Sequence, residues 1–145
     1  LVFWLVLMTI VLYRLFFHEP LPARLTPTLF ILIAPPAVGF LAYVELIDRL
    51  DGFARVLYFT ALFLTLLLSS RAISFFRLPF FISAWAYTFP LAALTIATFE
   101  MGARSHQAFY TGLGWILLAV VSSAVGLISF KTVLASVQGK VFAPE

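Results

Sequence analysis

The side chains that could carry out chemistry are few in this sequence, and they are not grouped as an enzyme site requires. His18 and His106 could bind a metal ion or transfer a proton, but the topology derived below puts them on opposite sides of a membrane. There is no cysteine, which excludes thiolate metal sites and a cysteine nucleophile. The serines and threonines of the apolar segments have no base near them in the sequence. We therefore predict that the protein is not an enzyme and that it holds no metal ion or cofactor.

Hydroxyl groups are concentrated in one apolar segment, where they precede a proline. Ser83 and Tyr87 are spaced so that they share one face of a helix, and Thr88 follows directly. Pro90 lacks a backbone donor and pushes on the carbonyl four residues back, which belongs to Ala86. Hydroxyls beside such a kink can hydrogen-bond a passing ion, a freed carbonyl or a neighbouring helix. The segment is therefore a candidate pore-lining element, with interhelical hydrogen bonding as the alternative.

Two adjacent prolines, Pro35 and Pro36, interrupt a second apolar segment. They press on the carbonyls of Ile31 and Leu32, which would need a neighbouring helix, a hydroxyl or water as a partner in hydrocarbon. Kinks two segments apart favour helices that face a shared cavity. Because proline is common in transmembrane helices, kinks that serve only helix packing are an equal alternative.

Phe89 lies directly before Pro90, near the middle of its apolar segment. A phenyl ring at that depth could close a narrow pore and move aside through a small side-chain rotation, since hydrophobic constrictions can gate channels. The alternative is that the ring packs against a neighbouring helix. The residues alone leave both interpretations open.

Composition places these residues in membrane-spanning helices. Hydrophobic residues make up 63% of the sequence and charged residues 10%, whereas soluble domains have about 45–50% and about 25%. The apolar segments are too long and too uniformly apolar for β-barrel strands, and backbone groups in lipid must be satisfied within the element. We therefore predict an all-α integral membrane protein with five transmembrane helices, at about residues 1–17, 29–47, 53–70, 80–99 and 108–130.

The lysines and arginines predict an orientation. Six fall on one side of the five predicted helices and three on the other, and such an excess marks the cytoplasmic side. The C-terminus is then cytoplasmic. The net charge of +3 comes from basic residues scattered singly, which excludes a nucleic-acid-binding patch. The cytoplasmic set is Arg14, Arg24, Arg71, Arg77, Lys131 and Lys140, and the opposite set is Arg49, Arg55 and Arg104.

The first residues, Leu1 to Trp4, are apolar and include neither a methionine nor a basic stretch. This pattern is typical of the middle or end of a transmembrane helix and not of a signal peptide. We expect the five helices to be the C-terminal part of a longer chain, with the N-terminal half missing.

Two long motifs and a short one resemble the tellurite-resistance/dicarboxylate transporter family, which includes the plant slow-type anion channels and the bacterial TehA-like proteins. Residues 83–93 read SAWAYTFPLAA, residues 25–37 read LTPTLFILIAPPA, and residues 77–80 read RLPF. The motifs occur in the family's order, and the likeness covers essentially the whole chain.

The resemblance implies a fold of ten transmembrane helices, arranged as five hairpins around a central pore, in which these segments are helices six to ten. The second and fourth segments would line the pore, and Phe89 would be the phenylalanine that closes it. The other implied pore-lining or kink residues are Pro35, Pro36, Ser83, Tyr87, Thr88 and Pro90.

The resemblance also implies a function. Family members form homotrimers and pass small inorganic or organic anions, so we expect an anion channel or transporter, without a cofactor, in a bacterial inner membrane. The alternative is a carrier, either proton-coupled for C4-dicarboxylates such as malate or linked to sulfite or tellurite. A scaffold subunit without transport is a third, less favoured interpretation.

Overall fold

The computed structural model of this chain describes residues 2–18, 29–70 and 82–137. These residues form helices and their connections, with no strand among them, which confirms the all-helical prediction. The whole motif at 77–80, residues 25–28 of the motif at 25–37, and Arg24, Arg71, Arg77 and Lys140 lie outside the described residues. The α-helices are α1 (Val2–Phe17), α2 (Ala34–Ile47), α3 (Gly52–Ser69), α4 (Thr88–Ser105) and α5 (Ala108–Val137).

Three helical stretches of the described chain are long and apolar enough to cross a membrane, namely Leu29–Ile47, Gly52–Ser69 and Ala108–Val137. They correspond to the second, third and fifth predicted segments. The apolar part of α1, Phe3–Arg14, is shorter. Helix α4 continues through Glu100 and Arg104, which lowers its hydropathy and shifts it relative to the predicted 80–99. The count of five spans therefore stays a prediction.

Pro35 and Pro36 lie in the first turn of α2, directly after a 3-10 segment at residues 29–33. Ile33 keeps helical dihedral angles (φ −74°, ψ −34°), so the chain passes from one helix type to the other without a break. The first N–H groups of an α-helix have no partner within it, so prolines there cost little. At the position where a kink within a helix was expected, the chain changes from a 3-10 segment to an α-helix, and Pro35 and Pro36 lie at the start of that α-helix.

Helix α4 begins in the same way. A second 3-10 segment, Ile82–Tyr87, leads into α4, and Tyr87 has helical angles (φ −73°, ψ −31°). Pro90 is the third residue of α4 and again occupies the first turn. The two proline-containing segments therefore have the same arrangement, in which a 3-10 segment is followed by an α-helix with proline in its first turn. We refer to these two places as the proline junctions.

The core lies between α2, α3 and α4, and α4 makes its most extensive contact with α5. The hydroxyl of the buried Tyr58 donates to Thr98 Oγ1 at 3.2 Å, and Thr98 Oγ1 donates to the Leu94 carbonyl at 2.8 Å. These hydrogen bonds satisfy polar groups that would be costly to bury alone. The largest completely buried side chains include Ile33, Phe40, Val44, Tyr58, Leu94 and Met101.

Asp51 caps the N-terminus of α3. Its Oδ1 accepts from the backbone N–H of Ala54 at 3.0 Å, and its Oδ2 accepts from the Tyr43 hydroxyl at 2.7 Å. The N–H of Ala54 and the Tyr43 hydroxyl favour the charged carboxylate, so they lower the pKa of Asp51. The cap therefore joins the end of α2 to the start of α3.

We expect Asp51→Ala to lower the thermal unfolding temperature at neutral pH, because both hydrogen bonds are lost. The folded-state pKa of Asp51 is lowered, so the stabilisation by its charge is complete above the unfolded-state value of about 3.9. It is lost as the pH falls through the lower folded-state pKa. The measurement is thermal unfolding in detergent, followed down to about pH 2. The difference in unfolding temperature between wild type and Asp51→Ala should become smaller at the lowest pH values.

Asp51→Asn is the matched control, since it keeps a capping oxygen and loses the charge. It should be less destabilising than Asp51→Ala at neutral pH. A gap between wild type and Asp51→Ala that stays constant down to about pH 2 would contradict the role of the charge.

Glycines allow α4 and α5 to approach closely. A Cβ atom added to Gly114 would lie 2.8 Å from the Phe99 ring, and one added to Gly102 would lie 3.0 Å from Thr111 Oγ1. A Cβ at Gly112, by contrast, would have nothing within 4 Å. The Phe99 ring also packs edge-on against Trp115, with centroids 5.5 Å apart, which limits how far it can move.

Gly114→Ala should destabilise the protein by about 1–3 kcal/mol, the usual cost of overpacking. Gly112→Ala, on the same helix but facing open space, should be neutral or stabilise by up to about 1 kcal/mol through higher helix propensity. Unfolding by sodium dodecyl sulfate in mixed micelles, followed by circular dichroism, measures both. Equal effects of the two substitutions would show that the contact with Phe99 does not limit packing.

Candidate functional site

The residues that the sequence analysis selected all lie at the two proline junctions. Pro35 and Pro36 belong to the first junction, and the remaining selected residues belong to the second. Ser83 lies in the 3-10 segment Ile82–Tyr87, while Thr88, Phe89 and Pro90 are the first three residues of α4. The selected residues therefore fall in two corresponding positions of the fold.

The fold brings the two junctions together. The rings of Phe30 and Tyr87, one from each 3-10 segment, pack edge to face with centroids 4.7 Å apart and an interplanar angle of 87°. Pro36 and Pro90 are both completely buried, and α2 packs against α4 beyond them. The two junctions are thus in contact through Phe30 and Tyr87, a contact that was not predicted from the sequence, and the shared cavity stays a prediction.

Phe89 differs from its neighbours in exposure. Its side chain is 63% exposed in the described chain, whereas Tyr87 is half-buried and Pro90 completely buried. The Phe89 ring is therefore not part of the packing between α2 and α4. This exposure leaves the ring available to another element or to an open space.

The hydroxyl of Thr88 is used within its own junction. Thr88 Oγ1 donates to the Trp85 carbonyl at 2.9 Å, which satisfies an oxygen next to the proline-containing turn. Trp85 Nε1 in turn donates to Thr132 Oγ1 at 3.1 Å and so joins the second 3-10 segment to α5. This bond was not predicted from the sequence. The signal for it was the indole N–H, which usually finds a hydrogen-bond partner.

Charged groups gather at the other end of α2 and α4. The guanidinium of Arg104, near the end of α4, contacts Glu45 at 3.1 Å and Asp48 at 3.0 Å, both from the end of α2, and also Glu100. The pattern of lysines and arginines predicted Arg104 on the side opposite the cytoplasm, but its pairing with these carboxylates was not predicted from the sequence. Among the described residues, no set of three His, Cys, Asp or Glu side chains is arranged to hold a metal ion.

These features define an all-helical membrane protein in which two proline-containing helices pack side by side. The chain matches the family model described as "Voltage-dependent anion channel" over residues 1–133 and belongs to that family. This confirms the family resemblance predicted from the motifs. No solved structure matches the chain at a significant level.

Related proteins of known name agree with this assignment. The chain is 34% identical over 134 residues to the S-type anion channel SLAH2 of Arabidopsis thaliana, which covers 92% of this chain and 25% of the relative. It is 29% identical over 131 residues to the guard cell S-type anion channel SLAC1 of the same plant. That match covers 90% of this chain and 23% of the relative.

An archaeal relative is the uncharacterized transporter MJ0576 of Methanocaldococcus jannaschii, 27% identical over 136 residues, which cover 79% of this chain and 38% of the relative. The chain thus spans about a quarter of the length of the plant relatives that it matches. The names describe channels and transporters and not enzymes, in agreement with the sequence prediction.

A double-mutant cycle should detect the contact between the junctions. We expect Phe30→Leu and Tyr87→Leu to be coupled by about 0.5–1.5 kcal/mol in the free energy of unfolding, because an edge-to-face aromatic pair contributes that much beyond its buried area. Unfolding by sodium dodecyl sulfate in mixed micelles measures the four proteins. The control cycle pairs Phe30→Leu with Phe109→Leu, an exposed ring at the start of α5. That cycle should be additive within about 0.5 kcal/mol, and similar coupling in both cycles would contradict a direct contact.

Proposed function

We propose that the full-length protein is an anion channel or transporter that moves small inorganic or organic anions through a central pore. The observation that carries this proposal is membership of the voltage-dependent anion channel family, with S-type anion channels among the similar proteins. Transport across a membrane also accords with three helical stretches of spanning length and composition.

In this proposal α2 and α4 line the pore. They are neighbours, each begins at a proline junction, and the junctions touch through Phe30 and Tyr87. From residue 29 to residue 44 and from residue 82 to residue 99 there is no charged side chain, so no carboxylate would repel an anion there. Ser83, Tyr87 and Thr88 would give this wall an uncharged polar character, although the Thr88 hydroxyl already donates to the Trp85 carbonyl. A wall without a fixed charge would bind an anion weakly, and weak binding lets an ion leave again.

Phe89 is the proposed gate of this pore. Its exposure in the described chain supports the role, because a ring already packed between α2 and α4 could not also block a passage. Its place in the first turn of α4, beside the buried Pro90, would fix the backbone while the side chain rotates. A rotation about one side-chain bond would then open the passage without moving the helix.

The remaining features of the proposal follow the family resemblance and the charge pattern. The described helices would belong to helices six to ten of a ten-helix bundle, and the protein would act as a homotrimer. The excess of Lys and Arg supports a cytoplasmic C-terminus, and the bundle would lie in a bacterial inner membrane. A carrier for C4-dicarboxylates, or one linked to sulfite or tellurite, is the rival that the following experiment separates from a channel.

The test compares Phe89→Ala with Phe63→Ala in the full-length protein in planar bilayers. Phe63, on α3, is the matched control, since it is 61% exposed and Phe89 is 63% exposed. Phe89→Ala should raise the chloride current several-fold, because the block is removed, and Phe63→Ala should leave it unchanged.

Equal currents from wild type and Phe89→Ala, with equal amounts of protein in the bilayer, would contradict the gate. Slow, saturable, proton-dependent flux without unitary currents would replace the channel by a carrier. In that case Phe89 would have only a packing role.

A further inference from the structure

Arg104 is held between three carboxylates where α2 and α4 end. Its Nη1 donates to Asp48 Oδ1 at 3.0 Å and its Nη2 to Glu45 Oε1 at 3.1 Å, while its Nε donates to Glu100 one turn back on α4. The Arg104 side chain is 18% exposed, but those of Glu45 and Asp48 are 70% and 94% exposed. One largely covered guanidinium therefore gathers two carboxylates that otherwise face the surroundings.

The local charge balance depends on this arginine. The stretches 45–55 and 100–104 contain four carboxylates, at Glu45, Asp48, Asp51 and Glu100, and three guanidiniums, at Arg49, Arg55 and Arg104. Asp51 is engaged separately, by Tyr43 and the N-terminus of α3. Without Arg104, the other three carboxylates would lose their shared counter-charge at the same place.

This place lies at the opposite end of α4 from Phe89. The two residues are 15 positions apart in one helix, or about 22 Å. If α2 and α4 line a pore, the Arg104 cluster stands at one of its mouths, whereas Phe89 stands deeper. The net charge of the cluster therefore acts on any anion that enters the pore at this mouth.

We infer that Arg104 is a positioning residue that keeps this mouth permeable to anions by holding Glu45, Asp48 and Glu100 in ion pairs. The inference rests on the proposed function, because it takes α2 and α4 as walls of the pore. Three unpaired carboxylates at a pore mouth would repel anions and concentrate cations, since a ring of carboxylates favours cation passage. The effect must weaken with salt, because the screening length falls from about 30 Å at 0.01 M to about 3 Å at 1 M.

The experiment measures the chloride-to-potassium permeability ratio of the full-length protein in planar bilayers, from reversal potentials in potassium chloride gradients. Arg104→Gln should lower the ratio several-fold when the mean salt is about 0.01 M and have little effect at about 1 M. Arg104→Lys keeps the charge and should retain most of the ratio. A structural defect would reduce current equally at both salt concentrations, and that result would overturn the inference.

Removal of the carboxylates should reverse the effect. Adding Glu45→Gln and Asp48→Asn to Arg104→Gln should restore the ratio at low salt, and a ratio that stays low would contradict the inference. Arg55→Gln is the charge-matched control, because Arg55 is exposed on α3 and lies outside this network. It should lower the ratio less than Arg104→Gln does. An equal fall in the permeability ratio for Arg55→Gln and Arg104→Gln would show that only the total charge matters. That result would overturn the role of the ion pairs of Arg104.

A second variant keeps the inference testable if Arg104→Gln does not fold. Glu45→Gln with Asp48→Asn changes only exposed side chains, removes two negative charges and leaves Arg104 paired with Glu100 alone, so the ratio should rise at low salt. An unchanged ratio would overturn the inference. Chloride current from wild type with no change in any variant would overturn this inference alone, whereas no anion current from wild type would overturn the proposed function together with it.

Discussion

The contact between α2 and α4 is the interaction on which the rest of the described structure depends. It is held at one end by the rings of Phe30 and Tyr87 and at the other by Arg104 with Glu45 and Asp48. Between these ends lies a core of completely buried aliphatic and aromatic side chains. Helix α3 packs against α2, and α5 packs against α4, so the central pair positions both α3 and α5.

The proline junctions show how the chain places proline in apolar helices at little cost. In the interior of a soluble helix a proline costs about 3 kcal/mol, because a donor is lost and the ring presses on the preceding turn. Here Pro35, Pro36 and Pro90 all occupy first turns, where the N–H would have no partner within the helix. A 3-10 segment directly precedes each of the two helices. The prolines therefore mark where the α-helices begin.

The two ends of α4 differ in chemistry. Its first turn carries hydroxyl and aromatic groups without charge, and the aromatic ring of Phe89 projects away from the packing. Its last turn carries Arg104, and a cation at a helix C-terminus is favoured by the partial negative charge of the unpaired carbonyls. The carboxylates of α2 gather on the same guanidinium. One helix pair thus presents an uncharged end and an end at which one guanidinium pairs with three carboxylates.

Composition and the length of the apolar runs were enough to predict the helical fold and the membrane environment, since few other structures can bury so much apolar surface and satisfy the backbone in lipid. The motifs at 25–37 and 83–93 were enough to predict the family, whereas the prolines left open whether their two segments share a cavity or only pack. The hydropathy pattern predicted the fourth segment at 80–99 and so missed that its α-helix continues through Glu100 and Arg104. Only the tertiary structure decided that Phe30 meets Tyr87, that Trp85 bonds to Thr132, and that Arg104 joins α2 to α4. These contacts join residues far apart in sequence, and their formation depends on the rotation of each helix about its axis, which a nearly uniform apolar pattern does not encode.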